Sequence, residues 1–183
     1  MFCKNYNILK TSRQWNNIGV ETVALKVDKT LGKLKLYRNS LKITQEIQEN
    51  PSLLPPDYNF LAVILSNSPI ICLDIEGNPG SVDNFMRILD ENELKIEHFL
   101  AERTMGGGIH LYFRRNLSTP SSNIYGGIKE NIYFDVLSSG KCFTSPSHLG
   151  ERSYSFKGIS IFDIKDVMDI PEYPQVLDFL MDK

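Results

Sequence analysis

Residues 71–80 read ICLDIEGNPG: an apolar run that ends in two carboxylates two positions apart, Asp74 and Glu76, just before a Gly-containing turn. The apolar run predicts a buried strand. Alternate side chains of a strand share a face, and the rise of roughly 3.3 Å per residue sets these two carboxylates roughly 7 Å apart, pointing the same way. Acids placed like this suit a metal ion or acid–base chemistry. The plainer alternative is a strand end at which acids simply reach water.

Working outward, FLAVILS (60–66) and PIICLDIE (69–76) read as two strands joined by the turn-like SNSP. SVDNFMRILDENEL (81–94) reads as a helix with Ser81 as N-cap and Val82, Phe85, Met86 and Leu89 on one face. Upstream, NYNILKTSRQWNNIG (5–19) reads as an amphipathic helix closed by Gly19, and VETVALKV (20–27) alternates like a strand. The lysine-rich stretch after it reads as a mobile connection, and NSLKITQEIQEN (39–50) as a helix stopped before Pro51.

Two downstream strands also carry polar groups. In GIHLYFRR (108–115), Ile109, Leu111 and Phe113 share one face while His110, Tyr112 and Arg114 share the other. Gly106, Gly107 and Gly108 precede His110 and suit close approach of a ligand or of backbone. In NIYFDVLS (131–138), Ile132, Phe134 and Val136 form the apolar face, which leaves Asp135 opposite with Tyr133. A lone strand Asp or His is usually structural. Three successive strands carrying Asp-x-Glu, then Gly-Gly-x-His, then Asp after an apolar residue are harder to dismiss together.

Composition narrows the class. The chain has 183 residues, 42% hydrophobic and 23% charged, enough to bury a real core as one domain with an appended piece. No apolar stretch approaches the roughly 20 residues of a membrane helix, and the N-terminus lacks a signal peptide's apolar core, so an intracellular protein without membrane partners is expected. Cys3, Cys72 and Cys142 are too scattered for a disulfide framework or a Cys-x-x-Cys zinc site and read as buried thiols. A net charge of −2 argues against coating nucleic acid by bulk electrostatics, but it leaves room for a local basic groove. Cations cluster at Lys26, Lys29, Lys33, Lys35, Arg38 and Lys42, and again at Arg114 and Arg115. Taken singly, each cluster reads as a solvated face.

The three strand motifs together resemble the archaeo-eukaryotic primase superfamily, in particular the primase-polymerase domain of plasmid and phage replication proteins. ICLDIEG is similar to its first motif, TMGGGIHLYF (104–113) to its second, and YFDVLSSGKCFTSPSH (133–148) to its third, in the same order over roughly residues 60–148. NNIGVETVAL (16–25) is similar to the family's first strand in weaker form. Two features depart from the pattern. Leu137 stands where a basic residue often follows the third-motif Asp, and ALKVDKTLGKLKLYR replaces the usual proline-containing segment.

The resemblance implies an α+β fold, a primase catalytic core with an RRM-like mixed or antiparallel sheet flanked by helices. It implies a catalytic domain over residues 1–160, with an N-terminal α/β part (1–58) and a motif-bearing sheet (59–160), and a helical tail or linker over 161–183. The implied activity is metal-dependent, template-directed nucleotidyl transfer, as DNA primase or DNA polymerase in replication of a mobile element or virus. Asp74, Glu76 and Asp135 are then the catalytic Mg²⁺ or Mn²⁺ ligands, because hard oxygen donors suit ions that stabilise attacking and leaving oxygens. Nucleotide binding falls to His110, Gly107, Gly108, Arg103, Lys141, Ser145 and Ser147, and template binding to Arg114, Arg115, Lys33, Lys35 and Arg38. Implied partners are single-stranded DNA, nucleoside triphosphates and a replicative helicase, in trans or in the same polypeptide. Two other classes stay open: a replication or initiator module that binds nucleic acid without turnover, and a metal-dependent nuclease. A His-x-His nuclease is disfavoured, since His98, His110 and His148 form no such motif.

Overall fold

Two antiparallel sheets, with helices against them, form a mixed α+β structure. The computed structural model describes residues 3–30, 33–117 and 119–180; the side chains of 3, 4, 29, 30 and 33–39 lie outside that description. Helix α1 (Cys3–Asn17) leads through Gly19, at φ +81°, into strand β1 (Thr22–Thr30). The lysine-rich segment is a strand, β2 (Lys33–Lys42), hairpinned onto β1, rather than a connection. It occupies a sheet edge, where lysines discourage pairing with other chains. The helix expected over 39–50 is correspondingly short, α2 (Gln45–Glu49), capped by the Thr44 hydroxyl.

The first sheet has the order β2-β1-β3-β9, with β3 spanning Phe60–Ile64 and β9 Lys141–Thr144. The second has the order β12-β5-β6-β4-β8-β7. Its strands are β4 (Ile70–Ile75), β5 (Leu100–Arg103), β6 (Ile109–Arg114), β7 (Ile124–Lys129), β8 (Ile132–Leu137) and β12 (Ser155–Phe156). A small hairpin pairs β10 (His148–Leu149) with β11 (Arg152–Ser153). The turn between β3 and β4 therefore carries the chain from one sheet to the other. Since β9 returns to the first sheet, the expected boundary near residue 58 does not separate the sheets.

Strand alternation assigns each face its partner. Ile70, Cys72, Leu100 and Tyr112 on the larger sheet pack with Ala24, Leu61, Val63 and Cys142 on the smaller one, around Ile8, Leu9 and Trp15 of α1. The opposite face, with Ile71, Leu73, Leu111, Phe113, Phe134 and Val136, packs on Phe85, Ile88 and Leu89 of helix α3 (Ser81–Glu91). Gly80, at φ +78°, takes the N-cap position of α3 in place of Ser81. The Ser81 hydroxyl instead accepts from the Tyr133 amide at 2.9 Å and donates to its carbonyl, pinning the helix to β8. Residues 161–180 are part of both cores: Ile161, Ile164 and Ile170 join the first, and Tyr173, Leu177 and Leu180 the second. No helix among the described residues is long and apolar enough to cross a membrane.

Candidate active site

Antiparallel pairing puts Asp74 on β4 opposite His110 on β6 and opposite Asp135 on β8, while Glu102 on β5 is opposite His110. Cross-strand partners share a face, with Cβ atoms roughly 4.5–5.5 Å apart. Four ionisable residues, Glu102, His110, Asp74 and Asp135, thus form one row across four strands. Glu76 extends the row past the end of β4, where its amide donates to the Tyr133 carbonyl.

Two glycine contacts set the mouth of this row. A Cβ on Gly108 would lie 2.2 Å from the Ile75 carbonyl oxygen, and one on Gly77 would lie 2.3 Å from that of Gly106. The Gly106–Gly108 turn is therefore pressed against the end of β4, and the close approach anticipated from the glycines is made by backbone. Thr104 closes the turn: its amide donates to the Gly108 carbonyl and its hydroxyl accepts from the Gly108 amide at 3.0 Å. The result is a cleft of about 400 Å³ lined by Asp74, Glu76, Gly77, Thr104, His110 and Tyr154.

His110 is the buried centre of the row, only 4% exposed. Its Nε2 lies 3.3 Å from Asp74 Oδ2, and its Nδ1 lies 3.0 Å from the Phe143 carbonyl and 3.5 Å from Glu102 Oε1. Burial disfavours the imidazolium, but Cys142, Asp74 and Glu102 together outweigh it and hold the His110 pKa well above its ordinary value. Glu102 is completely buried and went unnoticed in the sequence. It accepts from the Tyr112 hydroxyl at 2.5 Å, the Ser145 amide at 2.7 Å and the Thr144 hydroxyl at 3.2 Å, the satisfaction a buried carboxylate requires. It shares the inward face of β5 with Leu100, a face that a four-residue strand is too short to reveal in the sequence.

The three expected metal-binding acids come to one region but do not close on a point. Asp74 is 28% exposed at the cleft, Glu76 is exposed at its mouth, and Asp135 Oδ1 accepts from the Gly126 amide at 2.7 Å. Among the described residues, the trio of potential ligand atoms that does converge, within 4.8 Å, is Cys72, His110 and Cys142. The three acids still fit a hard divalent ion: they offer only carboxylate oxygen, Asp74 and Glu76 line the cleft, and Asp135 is fixed opposite Asp74 on the neighbouring strand.

The remaining expected residues divide. Ser145 supports the site indirectly, through its amide on Glu102 and its hydroxyl on the Tyr154 carbonyl. Ser147 is fully buried, and its hydroxyl is consumed by the backbone of Leu61 and Thr144, so it is unavailable to a nucleotide. Arg103 pairs with Ile109 and with Gly107 lines a second cleft on the α3 side of the sheet, away from His110. Lys141 belongs to the smaller sheet and donates to the Ser40 hydroxyl at 2.8 Å.

Arg114 pairs with Glu172 at 2.7 Å, and its amide donates to the Pro171 carbonyl. Arg115 donates to the carbonyls of Ser68 at 2.7 Å, Leu65 at 3.2 Å and Ser138. This basic pair is occupied in holding loops and the C-terminal segment. The side chains of Lys33, Lys35 and Arg38 lie outside the described residues. No protein-family profile and no curated protein sequence matches the chain.

Proposed function

We propose that the chain catalyses metal-dependent, template-directed nucleotidyl transfer, as a DNA primase or DNA polymerase built on a primase-type core. The observation that carries this reading is the in-register row Glu102–His110–Asp74–Asp135, with Glu76 beside it, two residues beyond Asp74. A row of acids alone suits many hydrolytic sites. A buried histidine between two of them, beside a glycine turn, adds a donor for phosphate oxygen next to a site for hard cations.

Asp74, Glu76 and Asp135 would hold Mg²⁺ or Mn²⁺, which when bound polarises the reacting phosphate and lowers the pKa of an attacking hydroxyl. The chain's own groups supply the rest. His110 directs Nε2 toward the cleft beside Asp74, and its N–H would donate to triphosphate oxygen once Asp74 is engaged by the ion. Glu102 holds the other side of the ring in place through Nδ1 and is itself fixed by three donors. Gly77 and Gly106 line the cleft without side chains. Tyr154, its ring 5.5 Å from that of His110, also lines the cleft.

Incubation of the chain with a single-stranded template, labelled nucleotides and Mg²⁺ or Mn²⁺ tests the reading. Template-dependent product is expected. Cleavage of the template identifies a nuclease, and binding without product identifies a module without turnover; both contradict it.

A further inference from the structure

Immediately behind the cleft, Cys72 of β4, His110 of β6 and Cys142 of β9 meet between the two sheets, and the carboxylate site uses neither thiol. We propose that these three residues form a zinc site that ties the sheets together and orients His110. It goes beyond the nucleotidyl-transfer reading and does not depend on it.

The geometry is that of ligands around one ion. The two sulfurs are 3.5 Å apart, and Cys142 Sγ is 3.5 Å from His110 Nδ1. Around tetrahedral zinc, with Zn–S about 2.3 Å and Zn–N about 2.0–2.1 Å, neighbouring donors lie roughly 3.5–3.8 Å apart. All three donor atoms lie within 4.8 Å of one another, so shifts of up to about 1 Å bring them to these spacings. The donor chemistry selects it as well: two thiolates and an imidazole suit zinc and are poor ligands for Mg²⁺ or Mn²⁺, which the open carboxylates next door prefer.

Two further observations point to a metal. The ring nitrogen that faces away from the thiols, Nε2, lies 3.3 Å from Asp74 Oδ2, and a metal-bound histidine characteristically donates its other N–H to a carboxylate. Zn²⁺ also cancels the charge of the two thiolates, as a site with both cysteines at most 2% exposed requires. The fourth position falls to Glu102, whose Oε1 is 3.5 Å from Nδ1. On binding, zinc displaces the thiol protons and any proton on Nδ1, which leaves the remaining ring proton on Nε2, facing the cleft.

The test is metal content and spectroscopy of the full chain, purified without a metal-binding tag and without nucleotide. About one zinc per chain is expected. Replacement by Co²⁺ should give the visible bands of a tetrahedral centre and a near-ultraviolet thiolate-to-cobalt charge-transfer band. Cys142→Ser should lose most of that band and Cys72→Ser should weaken it, while Glu76→Gln leaves it intact. Should the serine variants fail to fold, the parent's stoichiometry and charge-transfer band decide alone. A folded, reduced parent that stays metal-free in micromolar Zn²⁺ overturns the proposal, as does a Cys72–Cys142 disulfide in its place or cobalt bands without thiolate character. Zinc binding in a chain that incorporates no nucleotide leaves this site standing and removes only the catalytic reading. Incorporation by a zinc-free chain does the reverse.

Discussion

At one end of β6, His110 faces Asp74 beside an open cleft; at the other, Arg114 and Arg115 sit among carbonyl oxygens and Glu172. Both ends look functional in the sequence, because both concentrate charge. What separates them is how much of that charge is already spent. The arginine end directs its donors into the chain, closing the junction between the sheets at Leu65, Ser68 and Ser138. The histidine end keeps two carboxylates accessible and holds its ring from behind. A cluster of charged residues marks a candidate site only when its hydrogen-bonding capacity points outward.

The comparison breaks most readily at the carboxylates. Asp74→Ala or Asp135→Ala should lower nucleotide incorporation by about a hundredfold or more, since each removes several kcal/mol of interaction with the ion. Glu76→Ala should follow them, and circular dichroism should show all three variants folded. Next in size, His110→Gln should raise the nucleotide Kd about tenfold or more, through loss of a charge-assisted hydrogen bond, with template affinity nearly unchanged. Equal nucleotide affinity in filter binding would return His110 to a purely structural role.

The opposite end should respond in stability rather than in rate. Arg115→Ala leaves buried carbonyls without their donor and should cost about 2 kcal/mol in urea unfolding, with activity per folded molecule retained. Midway along β6, Tyr112 is fully buried, and its pKa is pushed well above its ordinary value, first by burial and then by the charges of Cys142 and Glu102. A tyrosine raised in the folded state contributes stability that is complete below its unfolded pKa of about 10 and is lost as pH climbs toward the folded value. The urea midpoint should therefore fall above about pH 10, and Tyr112→Phe should flatten that fall. The smallest effect is expected for Arg114→Ala on single-stranded DNA binding. Binding should be weak and salt-sensitive in the parent and the variant alike, because this guanidinium is already paired.

Strands β6 and β8 of the candidate site were legible because each shows a period of two over a buried sheet, and β4 because its apolar run marks a buried strand. The polar faces of β6 and β8 were thus read from His110 and Asp135 alone. Their register was not legible, and it is register that aligns Asp74 with both. Glu102 escaped because β5 is four residues long, too short to display a period, and the groups that satisfy it come from Tyr112, Thr144 and Ser145 far along the chain. The β2 strand was obscured by its lysines, although Leu34 and Leu36 alternate with Lys33 and Lys35 as an edge strand should. The C-terminal segment escaped for a different reason. It packs through short 3-10 turns such as Ile161–Asp163, whose apolar residues follow neither a helical nor a strand period.

The most direct test of the account is template-dependent incorporation of a labelled nucleotide by the parent and by Asp74→Ala, side by side, with Mg²⁺ or Mn²⁺ and after its removal by chelator. The account predicts product from the parent that requires both the ion and the template, and essentially none from Asp74→Ala. Equal incorporation by the two proteins, or a folded parent that yields no product with either ion, would contradict it.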